Sequence, residues 1–169
     1  MAIKTLEEKF IHELGDIYDA EHRFLEAQQE MHKHAKDSKL QMMIQEHIAQ
    51  TEHQIQNLEQ VYKLLNHSPK RVKCDAAVGL VTEGQKGMQE AAGNPAICDC
   101  LIAGAAGKVE HYEIASYRGL IAGAEQMGQS EAARLFRQNL QQEEQTAQKI
   151  EQSTPQLLQS AMSAQERGR

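Results

Sequence analysis

The sequence predicts an all-α protein, and three observations carry that prediction. Apolar residues recur at steps of three and four, the spacing that keeps side chains on one helix face, in four separate segments. There are three prolines and no tryptophan in 169 residues, while Ala, Glu, Gln, Lys and Leu are abundant and β-branched residues few. Such a composition favours helix over sheet. Capping residues and turn formers also fall where the periodic segments stop.

The elements follow in order. Thr5 with Glu8 has the spacing of a capping box and opens a first helix over residues 5–35. Lys36, Asp37 and Ser38 make a short turn. Ser38 with Gln41 repeats the capping pattern and starts a second helix, which Asn66 to Pro69 ends. So short a turn makes the two helices antiparallel neighbours. Residues 70–94 form a long connection containing its own helix, Ala76 to Ala92, weakened by Gly79, Gly84 and Gly87. Asn94 and Pro95 suit the N-cap and first turn of a third long helix that runs to Met127. Gly128 stops it, and Ser130 caps the fourth. Thr154 and Pro155 predict a new cap there, so residues 1–155 form one domain and 156–169 a short terminal helix with a frayed tail from Ser163. Two long hairpins joined by one long crossover describe a ferritin-like four-helix bundle. The small residues Ala103 to Gly107 let a neighbouring backbone approach the third long helix closely.

Composition excludes several classes. A chain of this length buries a core without disulfides, and three cysteines, Cys74, Cys98 and Cys100, are too few for a secreted disulfide framework. The balance of 18 basic against 24 acidic residues is mildly acidic. Its basic residues are dispersed apart from Lys70, Arg71 and Lys73, which argues against nucleic acid as a partner. With no apolar signal region and no run of about 18 apolar residues, the chain reads as a cytoplasmic protein without a membrane span.

The apolar stripes share one anomaly. The first runs Phe10, Leu14, Ile17, Glu21, Phe24, Gln28, Met31, and the second Leu40, Ile44, His47, Thr51, Gln54, Leu58, Val61, Leu65. The third runs Ala103, Ala106, Glu110, Glu113, Tyr117, Leu120, Ala124, and the fourth Ala132, Phe136, Asn139, Glu143, Thr146, Ile150. Each is apolar at its ends and polar at its centre. Stacked in a bundle, Glu21, His47, Glu110, Glu113 and Glu143 form one inward-facing layer. A buried lone carboxylate costs several kcal/mol, so such acids are neutralised, paired or bound to a cation. Carboxylates with one imidazole suit iron or manganese, with open positions for dioxygen or peroxide. Glu110 and Glu113, three apart, can face one cation, whereas His111 lies off the stripe. The other histidines, and Glu13, Glu46, Glu52 and Glu144, fit solvated flanks; a hydrogen-bonded polar core is the competing account of the layer.

These residues resemble the YciE/YciF family of bacterial ferritin-like proteins, associated with stress responses. The resemblance rests on Phe10-Ile11-His12-Glu13-Leu14 followed by Asp16-Ile17-Tyr18-Asp19-Ala20-Glu21, on Glu46-His47-Ile48 with Thr51, and on Leu58-Glu59-Gln60-Val61. Lys108-Val109-Glu110-His111-Tyr112-Glu113-Ile114-Ala115-Ser116-Tyr117 is its most specific part, with Glu143-Glu144 in the fourth long helix. It implies a ferritin-like fold, a homodimer and a rubrerythrin-like di-metal site. The chain departs from that pattern at Gln50, where the resemblance implies Glu, and at Ala147 and Gln148, where it implies an Asp. Two functions follow. One is a ferritin-like metalloprotein that oxidises Fe(II) or removes peroxide; the other is a non-catalytic dimeric helical stress or interaction protein whose metal site has degraded.

Overall fold

Residues 2–167 are described by the structure, a computed structural model, and they form five helices with no strand among them. Helix α1 (Leu6–His34) starts at the Thr5 and Glu8 capping box, in which Thr5 Oγ1 accepts from the Glu8 amide at 3.1 Å and the Glu8 carboxylate accepts from the Thr5 amide. Helix α2 (Ser38–Leu64) is capped one residue earlier than the sequence pattern predicts. Asp37, not Ser38, accepts from the amides of Lys39 and Leu40, because a carboxylate is the stronger acceptor at a helix N-terminus. Gln41 turns back to the Ala35 carbonyl instead. The turn is fixed from outside by Asp99, buried on a later helix, whose two oxygens accept from the Lys36 and Asp37 amides at 2.8 and 2.9 Å.

After α2 the backbone reverses at Asn66 (φ 56°), and the chain crosses α1 before entering α3 (Asp75–Glu90). The crossing is tight. The Val72 amide donates to the Gly15 carbonyl at 3.0 Å, and a Cβ at Gly15 would stand 2.6 Å from Val72 Cγ2 and 3.0 Å from the Lys70 carbonyl oxygen. Asp19, one turn further along α1, accepts from Arg23 (2.6 Å), Arg71 (2.7 Å) and the Cys74 amide (2.9 Å). Burial pushes its carboxyl up, but these donors hold it below the usual carboxylate range. Arg71, part of the one basic cluster in the sequence, is thus a structural clamp.

Helix α4 (Pro95–Gln126) opens with Asn94 as cap and Pro95 in its first turn, and Gly128 at φ 69° ends it. Helix α5 (Ser130–Arg167) does not break at Thr154 and Pro155; it runs through both as one 38-residue helix. Proline forfeits one backbone hydrogen bond there, while Leu157 and Ala161 beyond it are buried in the core. That packing outweighs the local preference. Of the predicted tail, Ser163 to Arg167 is helical, and residues 168–169 lie outside the described residues.

The four long helices form a bundle in which α1 packs on α2 and α4, and α5 on α2 and α4; α3 covers α1 and α4 from outside. Neighbours are antiparallel, as pairs such as Gln28 with Thr51, Asn57 with Asn139, and Arg118 with Glu144 show. Helices α2 and α4 are therefore diagonal and parallel, which is why the connection between them travels the length of the molecule. All stripe residues are buried except Leu65 and Ala106, which are half-buried. The apolar core is in two clusters, one around Phe10, Leu58 and Phe136 and one around Met31, Leu40 and Ile102, and the polar residues of the stripes lie between them. No helix among the described residues is long and apolar enough to cross a membrane.

Gly15→Ala gains helix propensity yet forces Val72 and the crossing backbone outward. The expected result is a net loss of about 1–3 kcal/mol in urea unfolding, against a gain of up to about 1 kcal/mol for Gly119→Ala, where a Cβ meets nothing within 4 Å. A neutral or stabilising Gly15→Ala would show that the crossing is loose.

Candidate metal centre

Each helix of the bundle delivers its part of the layer from the middle of its buried stripe. Glu21 comes from α1, His47 from α2, Glu110 and Glu113 from α4, and Glu143 from α5; all five are buried, with Glu21, Glu113 and Glu143 at 0% exposure. The structure brings four of them into one cluster. Donor atoms of His47, Glu110, Glu113 and Glu143 all lie within 4.8 Å of one another. His47 Nε2 stands 3.1 Å from Glu110 Oε1 and 3.8 Å from Glu143 Oε2. Glu21 falls outside that set but beside it, where the Tyr117 hydroxyl donates to Glu21 Oε1.

Protein donors satisfy only part of this charge. Gln54 Nε2 donates to Glu143 Oε1, and Asn139 Nδ2 donates to the Tyr117 hydroxyl at 3.0 Å. Asn139 is itself held by Asn57, whose Nδ2 donates to its Oδ1 at 2.8 Å. No lysine or arginine is buried among the described residues. Six buried atoms of the five layer residues therefore have no hydrogen-bond partner: Glu21 Oε2, His47 Nε2, Glu110 Oε2, both oxygens of Glu113, and Glu143 Oε2. Although His47 Nε2 is near Glu110, its geometry is not that of a hydrogen bond. Unsatisfied buried acceptors are rare in folded proteins, and here five of the six atoms belong to the clustered residues His47, Glu110, Glu113 and Glu143.

Electrostatics report the same strain. Burial, then the Glu143 charge, raises Glu21 to about 8 against the donor effect of Tyr117, and burial raises Glu110 to about 7. Burial and the neighbouring carboxylates push Glu113 well up, and burial with Glu110 does the same to Glu143. Without a cation the layer relieves itself by keeping protons, which the facing pairs Glu21 with Glu113 and Glu110 with Glu143 can share. An array of carboxylate oxygens with one imidazole nitrogen fits a hard to borderline divalent cation such as Fe(II) or Mn(II) better than a thiolate-seeking one.

Two polar neighbours carry roles that the periodicity did not show. Gln50 does not reach the carboxylates; its Oε1 lies 3.3 Å from His47 Nδ1 and accepts from Thr146 Oγ1 at 3.2 Å. In the tautomer that donates from Nδ1 to Gln50, His47 Nε2 presents its lone pair to the cluster. The spacing of His47 and Gln50, three apart on one helix, was the available signal. Ala147 is buried and brings no donor atom. His111 is exposed beside Glu151, and Tyr112 and Tyr18 face Asp16 and Glu59 away from the layer.

Comparison with known proteins agrees with the resemblance. A family model described as a domain of unknown function (DUF892) matches residues 5–163. Protein YciF of Escherichia coli (strain K12) is 37% identical over 147 residues, 86% of this chain and 88% of that protein. The crystal structure of the E. coli stress protein YciF superposes with a TM-score of 0.87 at 35% identity, covering 93% of this chain and 99% of that one. For YcfI of Rhodopseudomonas palustris the TM-score is 0.86 at 36% identity, over 88% and 94% of the two chains. A Xanthomonas campestris protein at 22% identity shares the fold, with a TM-score of 0.77 over 95% and 98%. Alike in sequence and in fold to YciF over most of its length, the chain belongs to the DUF892 family.

Proposed function

We propose that the chain is a ferritin-like, rubrerythrin-like metal-binding protein of the stress-protein class to which YciF belongs, acting in Fe(II) oxidation or peroxide removal. The observation that carries this reading is the set of six unpartnered donor atoms on the five layer residues, in a core with no buried lysine or arginine among the described residues. His47, Glu110, Glu113 and Glu143 would hold a first Fe(II) or Mn(II). With both oxygens free, Glu113 also faces Glu21, so these two are the donors available to a second cation. When bound, the cation supplies reversible one-electron exchange and open positions for a small oxidant.

The protein's own groups do the rest. Gln50 and Thr146 hold the His47 ring with Nε2 inward. Gln54 pins one oxygen of Glu143, and Tyr117, held by Asn139, pins one oxygen of Glu21, which leaves the opposite oxygen of each acid free. The two apolar clusters flank the layer on either side. A homodimer and a cytoplasmic location belong to the same reading.

Elemental analysis after anaerobic Fe(II) or Mn(II) loading tests it directly. The expected content is one to two equivalents per chain, with affinity reduced about a hundredfold or more in Glu110→Ala and Glu113→Ala and about 10–100-fold in Gln50→Leu. Full metal content in both glutamate variants would overturn the assignment; no binding by the wild type would favour a polar core and a purely structural role.

In the metal-free protein, the pH dependence follows from the raised carboxyls. The native layer binds protons that the unfolded chain, with carboxyls near 4.5, releases. This contribution to stability is whole below that value and is lost as pH rises through about 7 and about 8. Thermal unfolding in chelator is therefore expected to show a falling midpoint from pH 5 to pH 9, with Glu110→Gln more stable than wild type by about 2 kcal/mol at pH 8. Saturating metal reverses the trend, because binding displaces those protons. A metal-free midpoint that rises with pH would contradict the electrostatic account.

A further inference from the structure

A cavity of about 30 Å3 adjoins the layer on the side of the second apolar cluster. Met31, Leu40, Ile44, Val109 and Ile150 form its walls, and His47 and Glu110 close its inner end. Met43 and Ala106, both half-exposed, stand at its outer side, so the space lies between the protein surface and the donor atoms.

Size and lining select what it can take. A buried water needs roughly 10–15 Å3 of such space and two to four polar partners, so the volume suits about two water-sized molecules. Apart from Gln28, Thr146 and the two layer residues, the lining is apolar. Water and hydrogen peroxide would lose hydrogen bonds along most of this path, and a hydrated divalent cation with its shell does not fit. A neutral diatomic molecule loses nothing on entering. We propose that the cavity is a binding subsite for dioxygen, held against His47 and Glu110 on its way to the metal position.

This assignment rests on the proposed metal function and deepens it by naming the oxidant. In the reaction it serves, two Fe(II) each give up one electron, and dioxygen takes both with two protons to leave as hydrogen peroxide. Ala106 offers the least disruptive way to fill the space, since it lines the cavity at its half-exposed side and is not a layer residue.

The first test needs no metal. Crystals of the metal-free protein pressurised with xenon should show one xenon atom between Ile44, Val109 and Ile150, and Ala106→Leu should lose it. Stopped-flow oxidation of the Fe(II)-loaded protein then separates the oxidants. Ala106→Leu should bind Fe(II) as wild type does and react with dioxygen about tenfold more slowly, yet keep its rate with hydrogen peroxide added anaerobically. Absence of xenon from the wild-type cavity, or equal slowing with both oxidants, would overturn the proposal. A protein that accepts xenon but binds no Fe(II) would overturn the metal function, and with it dioxygen as the occupant, while retaining the cavity as a site for apolar molecules.

Discussion

Everything in this molecule is arranged around four glutamates and a histidine withdrawn from water in one layer. An ionised carboxylate in an apolar interior is stable only with a counter-charge or a proton, and no buried lysine or arginine supplies the former among the described residues. The layer interrupts the apolar core, leaving one cluster on each side. Stability and site are thus in opposition. The apolar clusters hold the helices together at both ends, and their grip forces the acids to face one another at the centre.

Keeping that layer in register falls to groups far from it. Asp99 on α4 clamps the turn between α1 and α2, and Asp19 on α1 clamps the start of the crossover through Arg71 and the Cys74 amide. Gly15 lets the crossing strand of chain lie directly on α1. The contrast between buried acids is informative. Asp19 has two guanidinium donors and a backbone amide and sits below the usual carboxylate range, whereas the layer glutamates, short of donors, are all raised. A buried acid whose donors are built in is a structural clamp. Acids left short of donors are the ones that the proposed function assigns to a cation.

Much of this was legible in the chain because the signal is periodic. Steps of three and four placed the four stripes, and a glutamate at such a step is buried whenever its apolar neighbours are; hence Glu21, His47, Glu110, Glu113 and Glu143 all came to the interior. Features that depend on contacts distant in sequence were not legible. Asp19 and Asp99 look like surface acids until the crossover and the first turn are folded against them, and Gly15 looks like a weak point in α1 until Val72 lies on it. Pro155 shows the converse error: the local rule predicted a break, but Leu157 and Ala161 had core to reach, so the helix continued. Asp37 displaced Ser38 as cap for a local reason, the stronger acceptor one residue upstream.

Gln50 changes meaning on this view. As a missing carboxylate it suggests decay, yet its oxygen faces His47 Nδ1 and Thr146, the position from which a neutral acceptor sets the ring's tautomer. Charge counting points the same way. Glu21, Glu110, Glu113 and Glu143 carry four negative charges when ionised, and His47 in that tautomer carries none. Under the proposed function two divalent cations would leave the layer neutral, and one cation would leave a charge of two to be met by protons shared between facing glutamates. Carboxylates at Gln50 and Ala147, as the family resemblance implies, would instead leave two cations with uncompensated negative charge in a core that, among the described residues, offers no lysine or arginine to meet it. The amide and the methyl group therefore fit a layer whose charge is already balanced.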